Sequence, residues 1–336
     1  MIWVVWRQQR SIVIAFVALM VVFALWLIIT GQHEQSLWNQ FLGAPCKGGY
    51  GVTNGDSHFC RGLQNTVYAS QHINDVATIV GWAFAPIFGL ILGVNAVARE
   101  IEQKTNRLAW TQSGSRSKWL ASKYITSVAT IVVVCAPLCL VLSWWVRASH
   151  VGPRITPKAF PVAGAVEISY GVFCFILAVA VGLVIRRAGW SLAVSILLFA
   201  ALFFSFANQV RPNLVTRSVA SLQSSSSGIE EGSSSGFYVS GGGPSDAWFF
   251  YQGFEPVGTK GVPSQAVLEK PTSAEYRCED KFQEPYCEHH LRLRLIEVYI
   301  SNRRFWALQQ GEGLFYIGLS VLLAGLSFIA IRRAKA

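Results

Sequence analysis

The chain alternates between long apolar runs and shorter polar segments. One run, IVIAFVALMVVFALWLIIT at residues 12–30, contains no charged side chain. A helix of this length roughly matches the ~30 Å hydrocarbon core of a bilayer. Similar runs lie at 76–98, 125–146, 163–185, 190–208 and 313–331. The pattern predicts six transmembrane helices and an all-α integral membrane protein.

The polar segments divide the chain into three parts. Residues 1–208 carry the first five predicted helices, with an external loop at 31–75 and a basic segment at 99–124. Residues 209–312 form a large external segment, and its Ser- and Gly-rich first half is predicted to be a flexible loop. Residues 313–336 hold the sixth predicted helix and a basic tail.

The second half of the external segment contains the stretch LRLRLIEVYISNRRFWALQQ. Apolar side chains at Leu291, Leu295, Val298 and Ile300 are separated there by charged residues. We interpret this spacing as an amphipathic helix or an external helical hairpin. The part of the chain before the sixth transmembrane helix is therefore predicted to be helical.

Composition and charge agree with a membrane protein. The chain is 52% hydrophobic and 14% charged, whereas soluble domains contain about 25% charged residues. Lys and Arg concentrate in short segments at 1–11, 99–124, 186–189 and 332–336. Because cytosolic loops are enriched in these residues, both termini are predicted to be cytosolic. The net charge of +10 is therefore an orientation signal, and no nucleic-acid partner is predicted.

Four cysteines lie in the predicted external regions. Cys46 and Cys60 are in the first loop, and Cys278 and Cys287 are in the last segment. An oxidising exterior favours the disulfides Cys46–Cys60 and Cys278–Cys287, although four free thiols are the alternative.

A second alternative for the last segment is a zinc site made by its two cysteines with His289 and His290. The spacing in CEDKFQEPYCEHH does not match a standard zinc finger, so no metal is predicted.

The sequence lacks the motifs of several enzyme classes. It contains no G-x-x-x-x-G-K-[ST], no G-x-S-x-G and no H-E-x-x-H. Near the predicted spans, the acidic residues are Asp75 and Glu167, both toward the outer ends. Glu167 is expected either to line a polar entry or to face the lipid headgroups. Because ion-driven carriers use ionisable groups at mid-membrane, any energy for transport should come from a partner.

The basic segment is long for a connecting loop. Residues 99–110 can continue the second span as a helix, with Glu100 and Lys104 in the favourable i, i+4 order. The stretch TQSGSRSK then favours a turn, and SRSKWLASKY restarts a helix leading into the third span. The pattern indicates a helix–turn–helix elbow, although Trp and Lys are also typical of a simple interfacial anchor.

This elbow carries a recognisable motif. The stretch APIFGLILGVNAVAREIEQKTNRLAWTQSGSRSKWLASKY resembles the ABC-2 type transporter permeases of actinobacteria, with their pattern ARE-x-E-x-x-T-x-x-LAWTQ-x-x-x-R-x-x-W-x-x-x-K. The stretches WVVWRQQR and NRRFWALQQGEGLFY are similar to two further segments of that family. The long external insertion departs from the family pattern.

The resemblance implies a permease subunit with no ATP site and no cofactor of its own. In this family six spans form a half-transporter, and the elbow is a coupling helix that docks on a separate ATP-binding subunit, which binds ATP and Mg²⁺. The implied partners are two copies of that subunit and a second permease, identical or homologous. The implied contacts are Arg99, Glu102, Trp110, Thr111, Gln112, Ser115, Arg116 and Trp119.

The resemblance also indicates a translocation path between two permeases, with the second and fifth spans facing each other. In the fifth span Phe199, Phe203, Phe204 and Phe206 are candidates for an apolar gate. The alternative is that these rings pack against other helices or face lipid.

One acidic residue near the sixth span is given a structural role. Glu312 is predicted to hold the external hairpin against that span through Arg303 or Arg304.

Three functions are compatible with these observations. The first is an exporter of an amphipathic or hydrophobic compound, such as a drug, peptide antibiotic or lipid-like molecule, in a bacterial cell membrane. The second is an ATP-driven sensing or mechanotransmission complex, whose external region binds a ligand or an envelope partner. The third is a membrane enzyme with His289 and His290 at an external site.

Overall fold

The computed structural model describes residues 2–43, 58–103, 115–149, 151–221, 246–256 and 293–333. In these residues six helices are long and apolar enough to cross a membrane, which confirms the predicted number. The helices are α1 (Ile2–Gly43), α2 (His58–Gly93), α3 (Arg99–Glu102), α4 (Arg116–Ala148), α5 (Val166–Ile185), α6 (Ala188–Ser205) and α7 (Phe305–Arg333). The short α3 continues α2 through a π-helical stretch, Val94–Ala98.

Two helices extend well beyond the predicted spans. The 42-residue α1 is about 63 Å long, roughly twice the hydrocarbon thickness. Both α1 and α2 reach into the region 31–75, which the sequence pattern assigned to a loop. The stretch GQHEQSLWNQFLG, at residues 31–43, contains Gln, Glu and Leu, which have good helix propensity outside the membrane as well. The apolar run therefore marked only the central part of the helix.

Helices α2 and α5 pack against each other through glycines. A Cβ atom at Gly89 would overlap the carbonyl oxygen of Gly171, and one at Gly93 would lie 2.8 Å from the Cβ of Ala178. Small residues let two membrane helices approach closely, so that van der Waals packing can hold them together. This close contact places α5 at the centre of the bundle.

A small antiparallel sheet lies next to the helices. It consists of β1 (Ser218–Ser221), β2 (Trp248–Pro256) and β3 (Leu293–Ile300), in the order β1-β3-β2. Tyr299 of β3 lies opposite Ser218 of β1, and Leu295 lies opposite Phe254 of β2. The end of the bundle where this sheet lies is called the sheet end below, and the opposite end the α3 end.

The sheet shows that one prediction was wrong. Residues 293–300 form a strand, not an amphipathic helix. The predicted helical membrane fold agrees with the structure, which adds the sheet outside the six candidate spans. The reason is visible in LRLRL, where apolar and charged residues alternate with a period of two, and in the β-branched residues Ile296, Val298 and Ile300 that follow. In β3, Val298 and Ile300 are both buried, as expected for residues two positions apart on one face of a strand.

The connection between α4 and α5 lies at the sheet end and contributes side chains to the core. Its side chains Ile155, Ala159, Phe160 and Val162 are inaccessible to solvent. Gln309 of α7 donates a hydrogen bond to the carbonyl oxygen of Phe160 over 3.0 Å. This connection therefore belongs to the core.

A short polar chain joins this connection to the strands. Arg154 donates to the Asn302 side chain over 2.8 Å, and Asn302 donates to Asp246 over 2.8 Å. The Arg154 guanidinium also lies 4.5 Å from the ring centre of Phe305. The sheet is thus attached to the helical bundle by polar and aromatic contacts.

Candidate coupling site at the α3 end of the bundle

A buried lysine joins the end of α2 to the beginning of α4. The Lys123 side chain is 2% exposed, and its Nζ atom lies 2.5 Å from Oε1 of Glu100. The same ammonium group donates to the carbonyl oxygen of Ala96 in the π-helical stretch. It also lies 4.6 Å from the ring centre of Trp119. A buried charge requires such a set of partners, so Lys123 holds the end of α2 and the beginning of α4 together.

Glu102 connects α3 to another helix. Its Oε2 atom accepts a hydrogen bond from the backbone N–H of Ala188 over 2.9 Å. Ala188 is the first residue of α6, where free N–H groups and the helix dipole favour a carboxylate. The α5–α6 turn is tight, and Arg186 adopts a left-handed conformation there with φ of 58°. Glu102 therefore caps α6 from a different part of the chain.

The beginning of α4 is fixed by its own cap and by two other helices. The Ser115 hydroxyl accepts from the backbone N–H of Lys118 over 3.2 Å, as expected for an N-cap serine. Gln9 of α1 donates to Ser127 over 3.0 Å, and Arg332 of α7 donates to Ser117 over 3.3 Å. The start of α4 is therefore held from several directions.

The eight predicted contacts with an ATP-binding subunit fall into different environments. Trp110, Thr111 and Gln112 lie outside the described residues. Trp119 is 3% exposed and packs under Lys123, so its indole belongs to the chain's own core.

The other four described contacts are more accessible. Ser115 and Arg116 are half-buried, and Arg99 donates to the side chain of Asn95 over 3.1 Å. Glu102 is exposed, although it caps α6. Contact of these residues with an ATP-binding subunit stays a prediction.

Most of the predicted gate residues are packed inside the chain. Phe199, Phe203 and Phe206 are buried, whereas Phe204 is 55% exposed. The ring of Phe203 stacks on Trp82 with centroids 5.0 Å apart and an interplanar angle of 2°. The burial of three of the four rings agrees with the alternative that they pack against other helices of the chain. The gate itself stays a prediction.

At the sheet end, Glu312 has a different partner from the predicted one. Arg211 donates from Nε to Oε2 over 2.7 Å and from Nη2 to Oε1 over 2.8 Å. The hydroxyl of Tyr170 also donates to Glu312, over 2.5 Å. The predicted partners Arg303 and Arg304 are exposed, so that prediction is corrected.

The signal that sequence reasoning missed was the lone arginine in FANQVRPN, directly after an apolar run. A charge at that position needs a partner if the helix end is buried. Arg211 also lies 4.7 Å from the ring centre of Phe160. The pair therefore lies within an aromatic environment that joins α5, α7 and the end of α6.

The two acidic residues near the predicted outer ends differ in environment. Glu167 is fully buried, and the thiol of Cys139 donates to its Oε2 atom over 3.7 Å. It therefore faces neighbouring helices of its own chain, not the headgroups. Asp75 is about half exposed and forms an ion pair with Lys158.

The described residues contain no disulfide and no group of three or more potential metal ligands. Cys46, Cys278 and Cys287 lie outside the described residues, as do His289 and His290. Cys60 lies in the first turn of α2. The two predicted disulfides therefore receive no support from the structure.

Six membrane-crossing helices, tied together at their ends by buried polar contacts, define a multi-pass membrane protein. A family model described as ABC-2 membrane transporter related matches residues 17–211, more than half of the chain. The chain belongs to this family, which confirms the resemblance to ABC-2 type permeases. It is accordingly a permease of an ABC transporter, from a family that has no ATPase of its own and generally works with an ATP-binding subunit. No curated protein and no solved structure matches the chain.

Proposed function

We propose that this chain is the membrane subunit of an ATP-driven exporter in a bacterial cell membrane. A separate ATP-binding subunit, present in two copies, docks on the basic segment at residues 99–124, and a second permease completes the pathway. The family membership supports transport over the sensing alternative. The observation that carries the proposal is the contact of Lys123 with Glu100 and with the carbonyl oxygen of Ala96, called the clamp below. It joins the two described ends of the basic segment.

The clamp suits a docking element mechanically. The Lys123–Glu100 ion pair joins the end of α3 to the beginning of α4, the two described ends of the basic segment. A partner that moves the segment therefore displaces α2 and α4 together. Because a partner shifts an equilibrium only by binding two states differently, the docked ATP-binding subunit must contact the segment differently with and without ATP.

The surface of the fifth span supports an apolar or amphipathic cargo. On α6 the exposed side chains include Ile196, Leu197 and Phe204. The buried charges Arg211 and Lys123 each have a carboxylate partner within their own chain. A pathway beside such a surface favours compounds that can enter an apolar environment without desolvating a strong charge. Export is the direction expected from the resemblance to ABC-2 type permeases.

Co-purification with an ATPase tests this function. The wild-type chain should capture a stoichiometric ATP-binding subunit from its own cells in mild detergent. The double variant Trp110→Ala/Arg116→Glu should lose the subunit, because aromatic and Arg side chains are typical interface anchors. Trp119 is left unchanged because it is buried.

Arg187→Glu is the matched control, since Arg187 is an exposed basic residue of the α5–α6 turn outside the basic segment. The control should retain the ATPase. Absence of any ATPase from the folded wild-type sample would contradict the proposed function, and loss in both variants would contradict docking on this segment.

A further inference from the structure

We infer that α3 is a connector that holds α4 and α6 against the end of α2. Both helices would then move when the docking segment, residues 99–124, moves. The inference rests on the proposed function, because the connector transmits the motion that an ATP-binding subunit would impose. It assigns positioning roles to Glu100, Glu102 and Lys123, which act through other groups and do not touch a transported compound.

Two carboxylates of one helical turn hold two different helices. Glu100 pairs with Lys123 of α4, and Glu102 accepts from the backbone N–H of Ala188 at the start of α6. Residues two apart on a helix point about 200° away from each other. The spacing E-x-E therefore allows α3 to lie between α4 and α6 and to contact both.

The two connections differ in strength and exposure. The Lys123 ammonium is buried and is also bonded to the carbonyl oxygen of Ala96. The Glu102 cap lies at the surface, where a charge–dipole contact is weaker and is screened by salt. The tie to α4 is thus the stronger of the two. The tie to α6 is the one that can be weakened without unfolding the bundle.

The connector leads to the sheet end through α6. The helix continues through a π-helical stretch, Phe206–Val210, to Arg211. Arg211 forms a bidentate ion pair with Glu312 of α7. A displacement of α3 can therefore pass through Glu102 to α6 and then through the Arg211–Glu312 pair to α7. This gives a continuous physical path between the two ends of the bundle.

The test uses the full chain in complex with the ATPase that co-purifies with it. Four samples are compared for ATPase capture and for the ATP hydrolysis rate of the complex: wild type, Glu102→Ala, Glu102→Gln and Gln8→Ala. Gln8 is the control because it is an exposed polar residue of α1 outside the docking segment. We expect Glu102→Ala to capture the ATPase normally but to lower the permease-dependent hydrolysis rate about two- to fivefold, the range expected for loss of a surface charge–dipole contact. Glu102→Gln should recover most of the rate, because its amide oxygen can still accept from Ala188.

The second connection is tested with the pair variant Lys123→Met/Glu100→Leu. Removing both charges of a buried pair is often neutral for stability, whereas removing one leaves an unpaired charge. The pair variant should capture the ATPase and show a similar loss of hydrolysis. Arg10→Met is its control, because Arg10 is an exposed basic residue of α1 outside the docking segment.

The outcomes separate this inference from the proposed function. If Glu102→Ala and the pair variant hydrolyse ATP at the wild-type rate, the connector is wrong although docking stands. If either variant loses the ATPase itself, the residues act in docking and the connector is also wrong. A folded wild-type chain that captures no ATPase contradicts the proposed function and withdraws the inference with it.

Discussion

At the scale of single residues, the ion pair between Arg211 and Glu312 is the strongest polar feature at the sheet end. Both side chains are almost completely buried, and the guanidinium donates two hydrogen bonds to the carboxylate. Removing two charges from water is unfavourable, and bidentate geometry with an added Tyr170 hydrogen bond offsets that penalty. Each charge is therefore tolerated only while the other is present.

Removal of one partner should destabilise the protein strongly. We expect Arg211→Met to lower the free energy of unfolding by about 3–5 kcal/mol, because Glu312 would remain as an unpaired buried charge. Arg303→Met, at the exposed position first predicted to hold Glu312, should change it by about 0.5 kcal/mol or less. Unfolding of the purified protein by titration with a denaturing detergent measures both. Equal effects of the two variants would contradict the assigned pair.

The same residues show the limits of sequence reasoning at a site. Glu312 was recognised from the sequence as structural, yet the partners chosen were the nearby Arg303 and Arg304. Arg211 lies 101 positions away in the chain, and only tertiary packing brings it to Glu312. In the basic segment the motif identified Glu102 and Trp119, but not their contacts with Ala188 and Lys123. Motifs select residues, whereas the partner of each depends on the fold.

At the scale of elements, the contact between α2 and α5 depends on the absence of side chains. A Cβ atom at Gly89 would overlap backbone, namely the carbonyl oxygen of Gly171, and backbone cannot move aside as a flexible side chain can. Without a hydrophobic driving force between helices in lipid, such close packing is a main source of association. The glycines of α2 therefore set the distance between these two helices.

Gly89→Ala should accordingly separate α2 from α5. We expect a loss of about 1–3 kcal/mol or more in the free energy of unfolding, the range for overpacked cores. Gly325→Ala in α7 is the control, because no atom lies within 4 Å of a Cβ at that position, and helix propensity favours alanine by about 1 kcal/mol. Detergent unfolding of both variants measures the difference. A neutral Gly89→Ala variant would show that the two helices are not in close contact.

Elements could be predicted from the sequence only where a local pattern determines them. The six apolar runs predicted six helices because each run is long enough to cross a bilayer by itself. The strand β3 was interpreted as a helix because Leu291, Leu295 and Val298 also fit a helical spacing. The alternation in LRLRL and the β-branched residues after it favour a strand once β1 and β2 supply hydrogen-bond partners. Those partners lie far away in the chain, so the short apolar pattern was ambiguous.

At the scale of the whole molecule, the α3 end of the bundle is rich in basic residues. The start of α4, the α5–α6 turn and the end of α7 carry Arg116, Arg187 and Arg333. Contacts such as Glu102 with Ala188 and Arg332 with Ser117 show that these three places are close together. The sheet lies at the other end. Since cytosolic surfaces are enriched in Lys and Arg, the α3 end is predicted to face the cytosol.

Thiol labelling in intact cells tests this orientation. In a variant without the seven native cysteines, Arg303→Cys at the sheet end should react with a membrane-impermeant maleimide. Lys118→Cys and Arg333→Cys should react only after the membrane is permeabilised, because the bilayer separates them from the reagent. The opposite pattern would place the basic segment outside, away from cytosolic ATP, and would contradict both the orientation and the docking of an ATP-binding subunit. Labelling of all three sites without permeabilisation would show instead that the cells were leaky, which a cytosolic marker protein in the same samples detects.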